Sequence, residues 1–114
     1  MSRESTIQTI EREKIVVITR NIYNEDLLKL AKALFAGGIR CFEITYDPAD
    51  PNTMTKITEN MKMLEDAFQG KLELGVGTVL TPEQVVNAKN AGAKFIVSPN
   101  FKESVVKETL RQGL

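Results

Sequence analysis

Glu43 stands inside an apolar run, Cys41-Phe42-Glu43-Ile44-Thr45. A carboxylate between Phe42 and Ile44 costs heavily if it is charged and unpaired. It reads as a solvent-facing strand residue, as part of a structural ion pair, or as a proton carrier whose pKa is raised by desolvation or lowered by a nearby cation. The chain has no histidine, which removes His-based triads, His metal sites and the commonest general base. Chemistry is left to carboxylates, lysines, arginines, hydroxyls and one thiol.

Four further stretches carry candidate chemistry. Gly75-Val76-Gly77-Thr78 ends an apolar run on two small residues, which lets a ligand approach the backbone and leaves the Thr78 hydroxyl free to bond a substrate oxygen. It lacks the third glycine of a dinucleotide fingerprint and the Gly-Lys-Ser/Thr of a P-loop. Arg20 follows Val17-Ile18-Thr19 and reads either as a surface salt-bridge partner or as an anchor for a carboxylate. Ser98-Pro99-Asn100 reads as a helix-entry turn or as part of a site. Asp47 and Asp50 lie in the Pro-rich loop "YDPADPN", where carboxylates are usually turn formers rather than metal ligands. Cys41, the single cysteine, reads as buried packing, with no histidine to activate it.

These residues need elements to position them. A short helix is expected over residues 5–13 with Ser5 as its N-cap, followed by four βα units over 14–112. The strands are "KIVVIT" (14–19), "CFEIT" (41–45), "LELGVGT" (72–78) and "KFIVS" (94–98). Between them fall a helix capped by Asn24 with a Leu27, Leu28, Ala31, Leu34, Phe35 stripe, and a helix over 53–68 with Ile57, Met61, Leu64 and Phe68 in register. A third starts at Thr81-Pro82, and the last covers 103–112. Gly113-Leu114 reads as the approach to a further strand. Strands about 25 residues apart without hairpin signals mean parallel pairing through helical crossovers. That fits half of a (β/α)8 barrel or a small doubly wound sheet, whose reactive groups sit at the C-terminal strand ends. Read there, the candidates are Thr19-Arg20-Asn21, Glu43 with Thr45, Gly75-Gly77-Thr78, and Ser98-Pro99-Asn100.

The 114 residues suit one partial-barrel domain, with 42% hydrophobic and 26% charged residues and 15 basic against 15 acidic side chains. Such balance argues against a nucleic-acid or membrane surface. One cysteine and a polar N-terminus without an apolar core suggest a reducing cytoplasm and no signal peptide.

"ALFAGGIRCFEIT", "GVGTVLTPEQ" and "AGAKFIVSPNF" together resemble the class I aldolases acting on 2-keto-3-deoxy-6-phosphogluconate, its galactonate relative and 4-hydroxy-2-oxoglutarate, from about Ile15 to Leu114. The resemblance implies a (β/α)8 barrel, usually trimeric, that cleaves its substrate to pyruvate and an aldehyde through a lysine Schiff base, with no metal or organic cofactor. It implies Glu43 as general acid/base, Thr78 near the pyruvate carboxylate, Gly77 opening space beside it, Pro99 lining the pocket and Arg20 binding a carboxylate. On this reading the two glycines make room for pyruvate.

Two departures stand out. Asp47 follows Thr45-Tyr46 where gluconate-type members often carry an arginine, which puts preference for a phosphorylated gluconate substrate in doubt. The Schiff-base lysine of the family belongs to a later strand, beyond Leu114. The resemblance therefore implies the N-terminal half of a barrel. The alternative is a catalytically inactive half-barrel that binds or assembles. A response-regulator-like domain would need an acidic cluster where Thr19-Arg20-Asn21 stands.

Overall fold

The structure is a computed structural model and describes residues 3–114. Its elements are α1 (Arg3–Glu13), β1 (Val16–Thr19), α2 (Asn24–Ala36), β2 (Cys41–Thr45), α3 (Thr53–Phe68), β3 (Glu73–Gly77), α4 (Pro82–Asn90), β4 (Phe95–Ile96) and α5 (Glu103–Arg111). The four strands form one parallel sheet in the order β1-β2-β3-β4. A doubly wound sheet reverses its strand order and carries helices on both faces. Here the order never reverses, and α2, α3, α4 and α5 touch one another in succession. The pattern is that of a barrel wall.

Parallel register puts Ile18, Glu43, Gly75 and Phe95 in one row, and Thr19, Ile44, Val76 and Ile96 in the next. Side chains alternate between faces along a strand, so Phe42, Ile44, Leu74 and Val76 all point to the helices. There they pack with Leu27, Ala31, Ile57, Met61, Leu64 and Val85. Burying each Leu or Ile of this layer is worth about 1.5–3 kcal/mol relative to exposure, so the helix layer fixes which face Glu43 takes. Glu43, Gly75 and Gly77 belong to the opposite, concave face.

α3 runs over the expected residues because its stripe and its breakers agree. Ile57, Met61, Leu64 and Phe68 are all buried, and the chain turns left-handed at Gln69 and Gly70. At α4 the Thr81 hydroxyl accepts the Gln84 N–H at 3.2 Å, with Pro82 in the first turn. The turns from α2 into β2 and from α4 into β4 are alike. Gly38 bonds to Phe35 O and Ile39 to Leu34 O, and Gly92 and Ala93 repeat this with Lys89 O and Ala88 O. Both glycines sit near φ +100°, a conformation that side chains resist. Gly113 and Leu114 make the same pair of bonds to Leu110 O and Thr109 O.

Several expectations change. α1 begins at Arg3, so Ser5 lies within the first turn and is not the cap. Asn24 does not cap α2. Tyr23 occupies the cap position, and the Asn24 N–H is taken by Asn60 Oδ1 at 2.6 Å, supplied by α3. β1 covers Val16–Thr19 rather than 14–19, and its Ile18 is 61% exposed on the concave side. β4 shortens to two residues, Phe95 and Ile96. Its ladder nevertheless continues through Lys94 N to Leu74 O and Val97 N to Val76 O.

Candidate active site

Glu43 is 3% exposed, in the middle of the central strand β2. Its carboxyl leans over the backbone of Gly77, and a Cβ built on that glycine would overlap Oε2 and Cδ of Glu43 and stand 3.0 Å from Thr45 Cγ2. The same construction on Gly75 would overlap the Phe95 ring. The expectation that both glycines stand clear for a ligand is therefore corrected. Within the described residues, the space over Gly77 holds the acid and the space over Gly75 holds an aromatic ring. A single sequence shows that side chains were removed; it does not show which neighbour uses the room.

Two threonines fasten β1 to β2 at this end. Thr19 Oγ1 donates to the Glu43 carbonyl at 3.3 Å, and Thr45 Oγ1 donates to the Thr19 carbonyl at 3.0 Å. Both are buried, so each side-chain donor meets its need within the sheet. β3 stops at Gly77, whose carbonyl accepts the Tyr46 N–H at 3.0 Å. The backbone then turns to φ +56° at Thr78, a rare conformation for a β-branched residue.

Arg20 leaves the end of β1 exposed to solvent and donates from Nη2 to Thr78 Oγ1 at 3.2 Å. The contact joins the C-terminal ends of β1 and β3, at the mouth of the half-barrel. Burial pushes the Glu43 carboxyl above its ordinary range, and the Arg20 guanidinium offsets part of that rise. A carboxyl so placed can hold and release a proton closer to neutrality than a solvated one. Pro99 is exposed in the bend between β4 and α5 at the same end of the sheet.

The loop after β2 and the start of α2 carry further polar contacts. Tyr23 lies beneath the Lys56 ammonium, which stands 5.3 Å from the ring centroid. Burial raises its phenol pKa, with Asp47 and Asp50 adding to the rise and Lys56 and Arg20 opposing it. Lys56 is ion-paired with Asp50, whose other oxygen accepts the Asn52 N–H at 2.8 Å. Asp47 accepts the Ala49 N–H at 2.9 Å. Both carboxylates thus shape the loop as turn formers. Tyr46 is fully buried, and its hydroxyl lies 2.6 Å from Asn87 Oδ1 and 3.0 Å from Gln84 O. Only the neighbouring apolar strand hinted at that burial.

The remaining nucleophiles lie elsewhere. Cys41 opens β2 at the opposite end, and burial, helped by Glu13 and Glu73, pushes its thiol up. Lys14 and Lys94 precede β1 and β4, and Lys102 is exposed at the start of α5.

This sequence and fold have counterparts among known proteins. The profile of the KDPG and KHG aldolases matches residues 6–113. The chain belongs to that family. It is 36% identical over 107 residues to the 2-dehydro-3-deoxy-phosphogluconate aldolase of Treponema pallidum, covering 94% of this chain and 48% of that one. To the KHG/KDPG aldolase of Escherichia coli K12 it is 32% identical over 106 residues, covering 93% and 45%. Among solved structures, native KDPGal superposes with a TM-score of 0.71 at 29% identity, over 87% of this chain and 45% of that one. KDPG aldolase from Legionella pneumophila, with pyruvate captured as a covalent carbinolamine, gives 0.62 at 33% identity, over 82% and 41%. The chain spans about half the length of the curated relatives it matches. It carries four βα units of a TIM-barrel-like fold. Among the described residues no helix is long and apolar enough to cross a membrane.

Proposed function

We propose that this chain supplies the acid–base half of the active site of a pyruvate-forming class I aldolase. The enzyme would be an aldehyde-lyase acting on a 2-keto-3-deoxy sugar acid phosphate or on 4-hydroxy-2-oxoglutarate. The observation that carries the reading is the buried Glu43 carboxyl, seated on Gly77 below the Arg20–Thr78 contact. Glu43 takes the proton of the substrate hydroxyl as the carbon–carbon bond breaks. The bonding pair passes into a lysine Schiff base to give an enamine. Glu43 then returns a proton to the enamine carbon, and hydrolysis releases pyruvate. Thr78 and Arg20 hold the pyruvate carboxylate, the hydroxyl by hydrogen bonding and the guanidinium by charge, and Pro99 lines the entrance. The lysine comes from a C-terminal half following this chain. Family likeness supports a cytoplasmic homotrimer that uses no cofactor.

The lysine-bearing form, treated with pyruvate and borohydride, should gain a stable adduct on a lysine outside residues 1–114. An adduct on Lys14, Lys94 or Lys102 would overturn the assignment. No adduct at all would favour the second reading, an inactive half-barrel that assembles with another chain. The exposed Ile18 on the concave face is the observation that supports that reading.

A further inference from the structure

Neither Gly75 nor Gly77 adopts a positive φ, so backbone conformation does not require glycine at either position. Glycine inside a strand weakens it. What excludes side chains here is space, and the occupants differ.

Glu43 and Phe95 are both in register with Gly75, one from each neighbouring strand. The nearest cleared space for a side chain leaving Glu43 is therefore over Gly75. Phe95 fills it, since a Cβ on Gly75 would lie 2.5 Å from Cδ2 and overlap the rest of that ring edge. The carboxyl goes instead to the next glycine on the same face, toward the C-terminal end of the strand. There it reaches the level of Thr78, whose hydroxyl is held by Arg20.

We propose that the two glycines of β3 are paired seats, one for the Phe95 ring and one for the Glu43 carboxyl, and that together they aim the acid at the mouth. Gly77 and Phe95 are positioning residues acting through Glu43. The inference rests on the reading of Glu43 as the proton carrier.

The test uses the lysine-bearing form with its glutamate carboxyl carbons labelled, titrated by NMR. Gly77→Ala displaces the carboxyl toward water, so the Glu43 midpoint falls toward the ordinary carboxylate range. Gly75→Ala displaces the ring, fills the space it leaves, and keeps the wild-type midpoint. An unchanged midpoint in Gly77→Ala, or an equal fall in both variants, would overturn the proposal. If Gly77→Ala does not fold, Glu43→Asp in the same background withdraws the carboxyl by one methylene and should restore a cooperative unfolding transition. A double variant as unfolded as the single one would also overturn it. These readouts need no turnover, so an aldolase assay that fails while the titrations behave as described would sink the functional reading and leave the seats standing.

Discussion

Replacing Glu43 by Gln should stabilise the fold at neutral pH. The carboxyl is buried, and its pKa lies above the ordinary value of 4.5 because desolvation outweighs the pull of Arg20. A raised folded pKa means that the native state binds the proton more tightly than the unfolded chain. Stability therefore falls with pH, beginning near 4.5 and ending where the folded carboxyl has ionised. Each unit of separation is worth about 1.4 kcal/mol. Arg20 is exposed, so its compensation is at most about 1 kcal/mol. The amide that Glu43→Gln introduces never ionises and escapes this loss. The variant should be more stable than the parent by on the order of 1 kcal/mol at pH 7, with the gain vanishing near pH 4. Urea unfolding followed by circular dichroism at half-unit pH steps would measure it, and the other titrating groups cancel in the difference. A difference between the two proteins that does not change from pH 4 to pH 8 would refute the claim that the site holds a desolvated carboxyl.

Tyr46→Phe removes the donor to Asn87 Oδ1 and should cost about 1–2 kcal/mol in the same unfolding assay. Thr81→Ala removes the hydroxyl that caps α4, at a cost of about 1 kcal/mol; a change within error would show that the cap is satisfied by water. β1 and β4 present unpaired edges within the sheet, so the 114-residue chain alone should self-associate or unfold readily. A stable, monodisperse monomer in sedimentation would contradict this.

Parts of the fold were legible because several local signals agreed. In α3 the 3.6-residue stripe and the closing Gly70 point to one segment, and at α4 the Thr81-Pro82 pair fixes the start. Parallel topology followed from evenly spaced strands without hairpin turns. Which of its three readings Glu43 takes was decided by the helices that cover the other face of β2. What the sequence hid was settled by distant partners. Asn24 looks like a cap, but its N–H is satisfied from α3 by Asn60, and the true cap position falls on Tyr23. Gly75 and Gly77 look like vacant space until Phe95 and Glu43 are seen to use it. Tyr46 reads as a loop residue, yet the helices α3 and α4 enclose it and Asn87 meets its hydroxyl. In each case the residue type was readable and the partner was not.

The most direct measurement is the rate of aldol cleavage by the lysine-bearing enzyme, unaltered and as its Glu43→Gln variant. Loss of the proton carrier should lower kcat by roughly 10²–10⁴-fold while borohydride still traps pyruvate on the lysine. Turnover close to that of the unaltered enzyme would show that this buried acid moves no proton in the reaction.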